Sequence, residues 1–178
     1  MKIAFLVFFV AERLFASTLF SQDCRNIGED YLRFRVETES STLANNSALA
    51  FKITAYEDEN CKVPYLNYNQ YFTALGLRGE QLDLNSEKVT YTALSEEVAS
   101  ALRLIKYCGH SEWLKDAETP VTGEICDDFP QLKKGDHFYQ IIRLEYRRLK
   151  LGMTDEKKDG RNVQSRPVQF DEFSYSAD

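Results

Sequence analysis

Apolar and polar residues alternate along the first half of the chain, and this period of two predicts antiparallel strands with one buried face. The strand candidates occupy residues 31–38, 49–57, 63–74, 81–84 and 88–94. The polar segment 40–47 indicates a hairpin with a long loop between the first two strands. Asn85-Ser86 predicts a turn between the last two.

The period changes after residue 94. Ser95 can cap a helix through its hydroxyl group, and two glutamates follow it near the positive end of the helix dipole. Apolar residues then recur at helical spacing, at Val98, Ala101, Leu102 and Ile105. The sequence predicts one helix at 95–106 that ends before Gly109. If the strands form a barrel, this helix should cover one side or the mouth of it.

The strand pattern returns in the last third of the chain. Further strands are expected at residues 121–126, 138–144 and 149–153, and a closing strand through Val168, Phe170 and Phe173. About eight short strands with one inserted helix predict a mainly β fold, an antiparallel barrel or sandwich. In a barrel, one shared apolar interior is expected for Phe34, Val36, Phe51, Ile53, Val89, Tyr91, Ile142 and Leu149.

The N-terminus resembles an export signal. Lys2 precedes an apolar run at 3–11, which is shorter than the roughly 20 residues that a transmembrane helix needs. We expect residues 1–21 to be a signal peptide, cleaved after Ala16 or Ser21, and residues 22–178 to form one domain. The alternative is a buried N-terminal strand or helix.

The charge balance bears on partners. The full chain has 22 basic and 28 acidic residues, and removing 1–21 takes away Lys2, Arg13 and Glu12. The remaining 20 basic and 27 acidic residues give a net charge of −7. This excess of acid argues against nucleic acid as a partner, and no protein partner is indicated.

Four cysteines in an exported chain suggest two disulfides and an oxidising, extracytoplasmic compartment, either periplasmic or extracellular. Three pairings are possible. Cys24 precedes the first strand and Cys61 follows the second, so an antiparallel hairpin brings them to the same end. We therefore expect Cys24–Cys61, which leaves Cys108–Cys126 around a loop that contains Trp113.

Several segments together resemble small exported bacterial proteins with lipocalin-like barrels. They are Tyr56-Glu-Asp-Glu-Asn-Cys61, Cys108-Gly-His-Ser-Glu-Trp113, Val121-Thr-Gly-Glu-Ile-Cys126, Leu151-Gly152 and Arg166-Pro167. The Gly-x-Trp motif of typical lipocalins is absent near the first strand. The resemblance implies an antiparallel barrel of about eight strands, with an apolar interior pocket.

No motif for catalysis stands out, so no catalytic residue and no cofactor are expected, and the protein is not expected to be an enzyme. Cys108 and Cys126 could be drawn with His110 as zinc ligands, but a fourth ligand is missing and a disulfide explains both thiols. No metal site is therefore expected. Asp127-Asp128 is interpreted as a pair of turn residues.

Aromatic residues supply the candidate ligand-binding positions. Tyr65, Tyr68 and Tyr71 form an amphipathic aromatic series of a kind that suits barrel mouths, although cross-strand packing would also explain it. Trp113 is the fourth candidate. Two functions follow: an exported non-enzymatic barrel that binds a small apolar or amphipathic ligand, or a secreted interaction module, inhibitor or adhesin-like, with a filled core.

Overall fold

The computed structural model describes residues 18–39 and 45–177, which build a closed antiparallel barrel and one α-helix. The strands are β1 (Thr18–Ser21), β2 (Arg25–Ile27), β3 (Asp30–Thr38), β4 (Ala48–Tyr56), β5 (Pro64–Arg78), β6 (Gln81–Ala93), β7 (Glu118–Pro120), β8 (Ile125–Cys126), β9 (Phe129–Pro130), β10 (His137–Glu145), β11 (Arg148–Leu151) and β12 (Tyr175–Ala177). Helix α1 spans Glu96–Ile105, and 3₁₀ turns lie at Tyr107–Gly109 and Val163–Ser165.

Eight strands form the ring, in the order β1, β3, β4, β5, β6, β10, β11 and β12, and the pairing of β1 with both β3 and β12 closes it. Strand β2 extends the edge of β3, and β7 lies against β6. Strands β8 and β9 form a separate hairpin. The predicted mainly β, antiparallel barrel with one helix is therefore confirmed.

Strand register explains which side chains meet inside the ring. Phe34 pairs with Ile53, and Ile53 pairs in turn with Tyr68 on β5. Val36 pairs with Phe51 in the next inward row. Because paired residues point to the same face of a sheet, alternation carries whole rows inward. Seven of the eight predicted interior residues pack together: Val36, Val89, Ile142 and Leu149 lie in the core, and Phe34, Phe51 and Tyr91 pack against it. The eighth, Ile53, is half-buried.

Some strand boundaries were predicted wrongly. Residues 81–84 and 88–94 belong to one strand, β6, because Asn85-Ser86 continues the ladder and the register shift beside Phe72 leaves Glu87 as an extra residue. Residues 121–126 do not form one strand, since Gly123 has a φ of 81° in a turn that separates β7 from β8.

The two strands that complete the ring also differ from expectation. The closing strand is β12, whose Tyr175 is buried, whereas Val168 is exposed and Phe170 makes only an isolated bridge. Strand β1 falls within the last four residues of the predicted signal peptide, and its Phe20 is buried in the core. Residues 1–17 lie outside the described residues, and the cleavage site stays a prediction.

The helix prediction is confirmed at its start. The Ser95 hydroxyl accepts a hydrogen bond of 3.1 Å from the Val98 backbone N–H. The helix ends at Ile105, the next residue Lys106 has a φ of 50°, and Gly109 lies in the 3₁₀ turn that follows. Leu102 faces the core as expected, but Ala101 is exposed and Ile105 is 64% exposed. The helix therefore buries Ala99 and Leu102 rather than the whole predicted stripe.

Both predicted disulfides are present. Cys24–Cys61 joins the chain before β2 to the chain after β4, with the Cα atoms 5.8 Å apart. Cys108–Cys126 joins the 3₁₀ turn after α1 to strand β8, with the Cα atoms 4.4 Å apart. The second bond thus ties the helical segment to the small hairpin β8–β9.

Gly152 marks a close approach at the end of β11. Its backbone N–H donates to the Gln140 side-chain oxygen over 3.0 Å. A Cβ at this position would lie 2.5 Å from Pro167 Cβ and 2.7 Å from Ile141 Cγ1. Only glycine therefore fits here without displacing buried neighbours. In residues 18–39 and 45–177, no helix has the length and apolar character needed to cross a membrane.

Candidate ligand-binding site

A cavity of about 650 Å³ lies in the barrel, at the end where β3 begins. We call it the phenylalanine cavity. Its apolar lining comes from the inward rows of β3, β4, β10, β11 and β12 and from the segment after β11, and includes Phe34, Phe51, Phe138, Leu151, Phe170 and Tyr175. The rings of Phe51 and Phe138 are 6.4 Å apart, and Phe72 packs behind both at 5.4 Å.

Polar and charged side chains make up nearly half of the residues that line the phenylalanine cavity. The Gln140 side-chain oxygen is fully used, because it accepts from the backbone N–H groups of Ile141 and Gly152. The Arg25 guanidinium lies 3.4 Å from Asp171 and 3.6 Å from the centre of the Phe173 ring. The lining thus combines five aromatic side chains with polar and charged ones, and apolar walls with placed polar groups are common in ligand sites.

A second cavity of about 450 Å³ shares Ile53 with the first. We call it the tyrosine cavity. It lies at the side of the barrel where β3 and β5 begin and β4 and β6 end, next to the end of α1 and the turn of hairpin β8–β9. Its lining residues are Asp30, Leu32, Ile53, Ala55, Tyr65, Leu66, Tyr68, Tyr91, Leu102, Ile105, Tyr107 and Asp127.

The tyrosine rings of this second cavity contact one another. The centres of Tyr68 and Tyr91 are 4.8 Å apart, and those of Tyr91 and Tyr107 are 5.4 Å apart with the rings edge to face. The Tyr68 hydroxyl donates to Gln131 over 2.9 Å. Tyr65 reaches the rim and donates to the Asp30 carboxylate over 2.6 Å. Four phenols are therefore held in fixed positions around one space.

Burial keeps these phenols protonated. Burial, followed by the hydrogen bond and negative charge of Asp30, raises the pKa of Tyr65 to about 12. Burial is also the main reason that the pKa values of Tyr68, Tyr91 and Tyr107 are raised. For Tyr107, hydrogen bonds with Tyr91 and Asp127 raise the pKa further. The tyrosines of the lining are thus uncharged at neutral pH and remain so well into the alkaline range.

The sequence matches no protein-family model and no curated protein. The order and pairing of the strands are therefore the basis for describing the fold, and an eight-stranded antiparallel barrel is consistent with a lipocalin-like fold.

The structure separates the four ligand-binding residues expected from sequence. Tyr65 and Tyr68 both line the tyrosine cavity. Tyr71 lies outside both cavities, and its hydroxyl donates to Glu118 over 2.6 Å. Trp113 is fully buried in the core, where its ring lies 6.0 Å from that of Tyr107. The ligand-binding role of these residues stays a prediction.

Sequence reasoning missed the residues that complete the tyrosine cavity. Tyr91 was expected inside the barrel, but nothing in the sequence places Tyr107 beside it. Asp127 and Asp128 do form a turn, with φ values of 48° and 66° between β8 and β9. The usable signal was Cys126, because its bond to Cys108 brings Asp127 next to Tyr107.

The candidate zinc ligands are differently engaged. Cys108 and Cys126 are bonded to each other, and the ring of His110 packs edge to face against Trp113. In the part of the chain that the structure describes, no group of three or more His, Cys, Asp or Glu side chains is arranged to hold a metal ion.

Proposed function

We propose that the protein is an exported, non-enzymatic, lipocalin-like barrel that binds a small apolar or amphipathic molecule in the phenylalanine cavity. One observation carries the proposal: a space of about 650 Å³ adjoins the packed core. Ligand pockets in proteins typically measure about 300–1,000 Å³. A barrel that served only as a rigid scaffold would gain stability by filling this volume with side chains.

The lining supports an amphipathic ligand. Phe34, Phe51 and Phe138 offer apolar surface, on which burial of a ligand gains roughly 25 cal/mol per Å². Arg25 could hold a polar or anionic end, because its partner Asp171 lies at 3.4 Å and both side chains remain partly exposed. Such a pair can exchange its internal contact for a ligand contact at small cost.

The two disulfides support an extracytoplasmic location, since such bonds persist in oxidising compartments. The proposed signal peptide adds to this argument, although most of it lies outside the described residues. Retaining strand β1 in the mature barrel requires cleavage at the earlier of the two proposed positions, after Ala16.

A second candidate function is a secreted interaction module, such as an inhibitor or an adhesin. Hairpin β8–β9 favours it, because Ile125 and Phe129 are 64% and 71% exposed. Contiguous exposed apolar surface is a feature of binding sites, and this hairpin presents one exposed apolar side chain on each of its faces. This function would not require a ligand inside the barrel.

Titration with the fluorescent amphipath 1-anilinonaphthalene-8-sulfonate tests the main proposal. The wild type should bind the probe saturably at one site. Ile53→Trp should abolish binding, because the larger ring would project into the space that both cavities border. Leu144→Trp is the matched control, since Leu144 is 52% exposed and borders neither cavity.

Absence of saturable binding to the folded wild type would overturn the carrier function and favour the interaction module. Equal binding by Ile53→Trp and wild type would place the probe elsewhere. Phe51→Ala keeps the experiment decisive if Ile53→Trp fails to fold. It enlarges the phenylalanine cavity and should change the affinity for the probe without abolishing binding.

A further inference from the structure

The tyrosine cavity differs from the phenylalanine cavity in its charge. The phenylalanine cavity is bordered by three basic side chains, Arg25, Arg35 and Lys52, and by two acidic ones, Asp171 and Glu172. Among the described residues that line the tyrosine cavity, none is basic, and Asp30 and Asp127 contribute carboxylates. The charge of Arg161 acts on Tyr68 from outside this lining. Neither carboxylate forms an ion pair with another described residue. The two spaces therefore suit ligands of different charge.

The aromatic lining of the tyrosine cavity, like its carboxylates, favours a cation. The faces of tyrosine rings attract cations that approach within about 6 Å of the ring centre. Tyr68, Tyr91 and Tyr107 form a continuous contact series, with neighbouring centres 4.8 and 5.4 Å apart. A cation in this cavity would occupy a space lined by neutral tyrosine rings and two carboxylates.

The covalent frame fixes this arrangement. Tyr107 immediately precedes Cys108, and Asp127 immediately follows Cys126, so the disulfide between these cysteines holds the ring and the carboxylate together. Asp127 sits in a two-residue turn with positive φ, which directs the chain back at once. The tyrosine–aspartate pair is thus set before any ligand enters, which reduces the cost of binding.

From this geometry we propose that the tyrosine cavity is a second binding site, for a small organic cation such as a protonated amine or a quaternary ammonium. A Ca²⁺ ion would need six to eight oxygen ligands, and two carboxylates with several aliphatic neighbours do not supply them. Leu32, Leu66 and Leu102 instead fit the carbon skeleton of an organic ligand. The proposal is independent of the function proposed for the phenylalanine cavity.

Isothermal titration calorimetry with the intact, disulfide-bonded protein tests the site. The probes are benzyltrimethylammonium and choline, and 3,3-dimethylbutan-1-ol is the neutral isostere of choline. Both cations should bind saturably, and choline should bind at least about tenfold more tightly than its isostere, because only the cation gains from rings and carboxylates. No binding of either cation, or equal binding of choline and its isostere, would overturn the proposal.

Two neighbouring substitutions locate the site. Asp127→Asn should weaken benzyltrimethylammonium binding about five- to tenfold, because it removes one of the two charges of the lining. Asp128→Asn is the matched control and should change affinity less than about twofold, because Asp128 carries the same charge in the same turn but does not border the cavity. Asparagine tolerates positive φ, so both variants keep the turn. Equal effects of the two substitutions would show that general charge, and not this cavity, attracts the cation.

A second pair of variants tests the rings. Tyr107→Leu should weaken cation binding, whereas Tyr71→Leu, on a tyrosine outside the cavity, should not. Binding of 1-anilinonaphthalene-8-sulfonate, measured in the same samples, reports on the phenylalanine cavity and on folding. If that probe fails to bind the wild type while choline binds, the carrier function fails and the cation site stands.

Discussion

Truncation of two contacting phenylalanines separates a packed core from a preformed cavity. Phe72 is 2% exposed and belongs to the core, whereas Phe51 is partly buried and borders the phenylalanine cavity. Each ring contacts the other, and each also contacts Phe138. The loss of aromatic contacts is therefore similar in the two alanine variants and nearly cancels in their comparison.

Burial and cavity formation should make Phe72→Ala much more destabilising than Phe51→Ala. Full burial of a phenylalanine contributes about 1.5–3 kcal/mol. Phe72→Ala should also leave a void of roughly 80 Å³, which at about 24 cal/mol per Å³ adds about 2 kcal/mol. Its total cost should be about 3–5 kcal/mol. Phe51→Ala only widens a space that already exists, so its cost should be about 1–2 kcal/mol.

Urea unfolding of both variants with the disulfides intact, followed by circular dichroism and tryptophan fluorescence, measures the difference. The m-values should match that of the wild type, so that the midpoints report the free energy of unfolding. An equal loss of stability in Phe51→Ala and Phe72→Ala would refute a preformed cavity, because the space beside Phe51 would then be closed by packing in solution.

Three further outcomes are expected. N-terminal sequencing of the mature protein should find cleavage after Ala16, whereas a start after Ser21 would remove β1 and contradict its place in the ring. The pKa values of Tyr65 and Tyr71 are raised to about 12, so the folded state holds these protons more tightly than the unfolded state. The free energy of unfolding should therefore fall between about pH 10 and 12, where tyrosinate absorbance follows the ionisation. A constant free energy of unfolding across this range would argue against the hydrogen bonds of Tyr65 with Asp30 and of Tyr71 with Glu118. Gly152→Ala should destabilise the protein by about 1–3 kcal/mol in urea unfolding, and Gly76→Ala, whose nearest neighbour would be 3.4 Å away, should cost less.

The sequence predicted those features that depend on local periodicity. Alternation placed Phe34, Phe51 and Tyr91 on one face, and Ser95 marked the start of the helix. The disulfide pairing followed from the ends of two strands. These predictions succeed because strand period, capping and hairpin geometry are set within a few residues.

Features that depend on distant contacts were not predictable in this way. The residues around the register shift of β6 are polar and carry no distinctive pattern, so Asn85-Ser86 was interpreted as a turn. Asp30, Tyr107 and Asp127 come from three separate segments, and only the closed ring and a disulfide bring them together. The spacing of these residues along the chain does not indicate that they are close in space. The sequence therefore predicted only two residues of the tyrosine cavity, Tyr65 and Tyr68, as ligand-binding positions.

The double pairing of β1 has a consequence for how the molecule is made. Phe20 pairs with Val36 on one side and with Ala177 on the other, so the last seam joins positions at opposite ends of the described chain. The hairpins β3–β4, β4–β5 and β5–β6 connect near neighbours and can form early, whereas this seam carries a large loop-closure entropy. If the proposed export delivers the chain unfolded across a membrane, the seam can be completed only after the final strand has emerged. The interior of the barrel would then first exist in the compartment of arrival, and a guest could be enclosed only from the molecules present there.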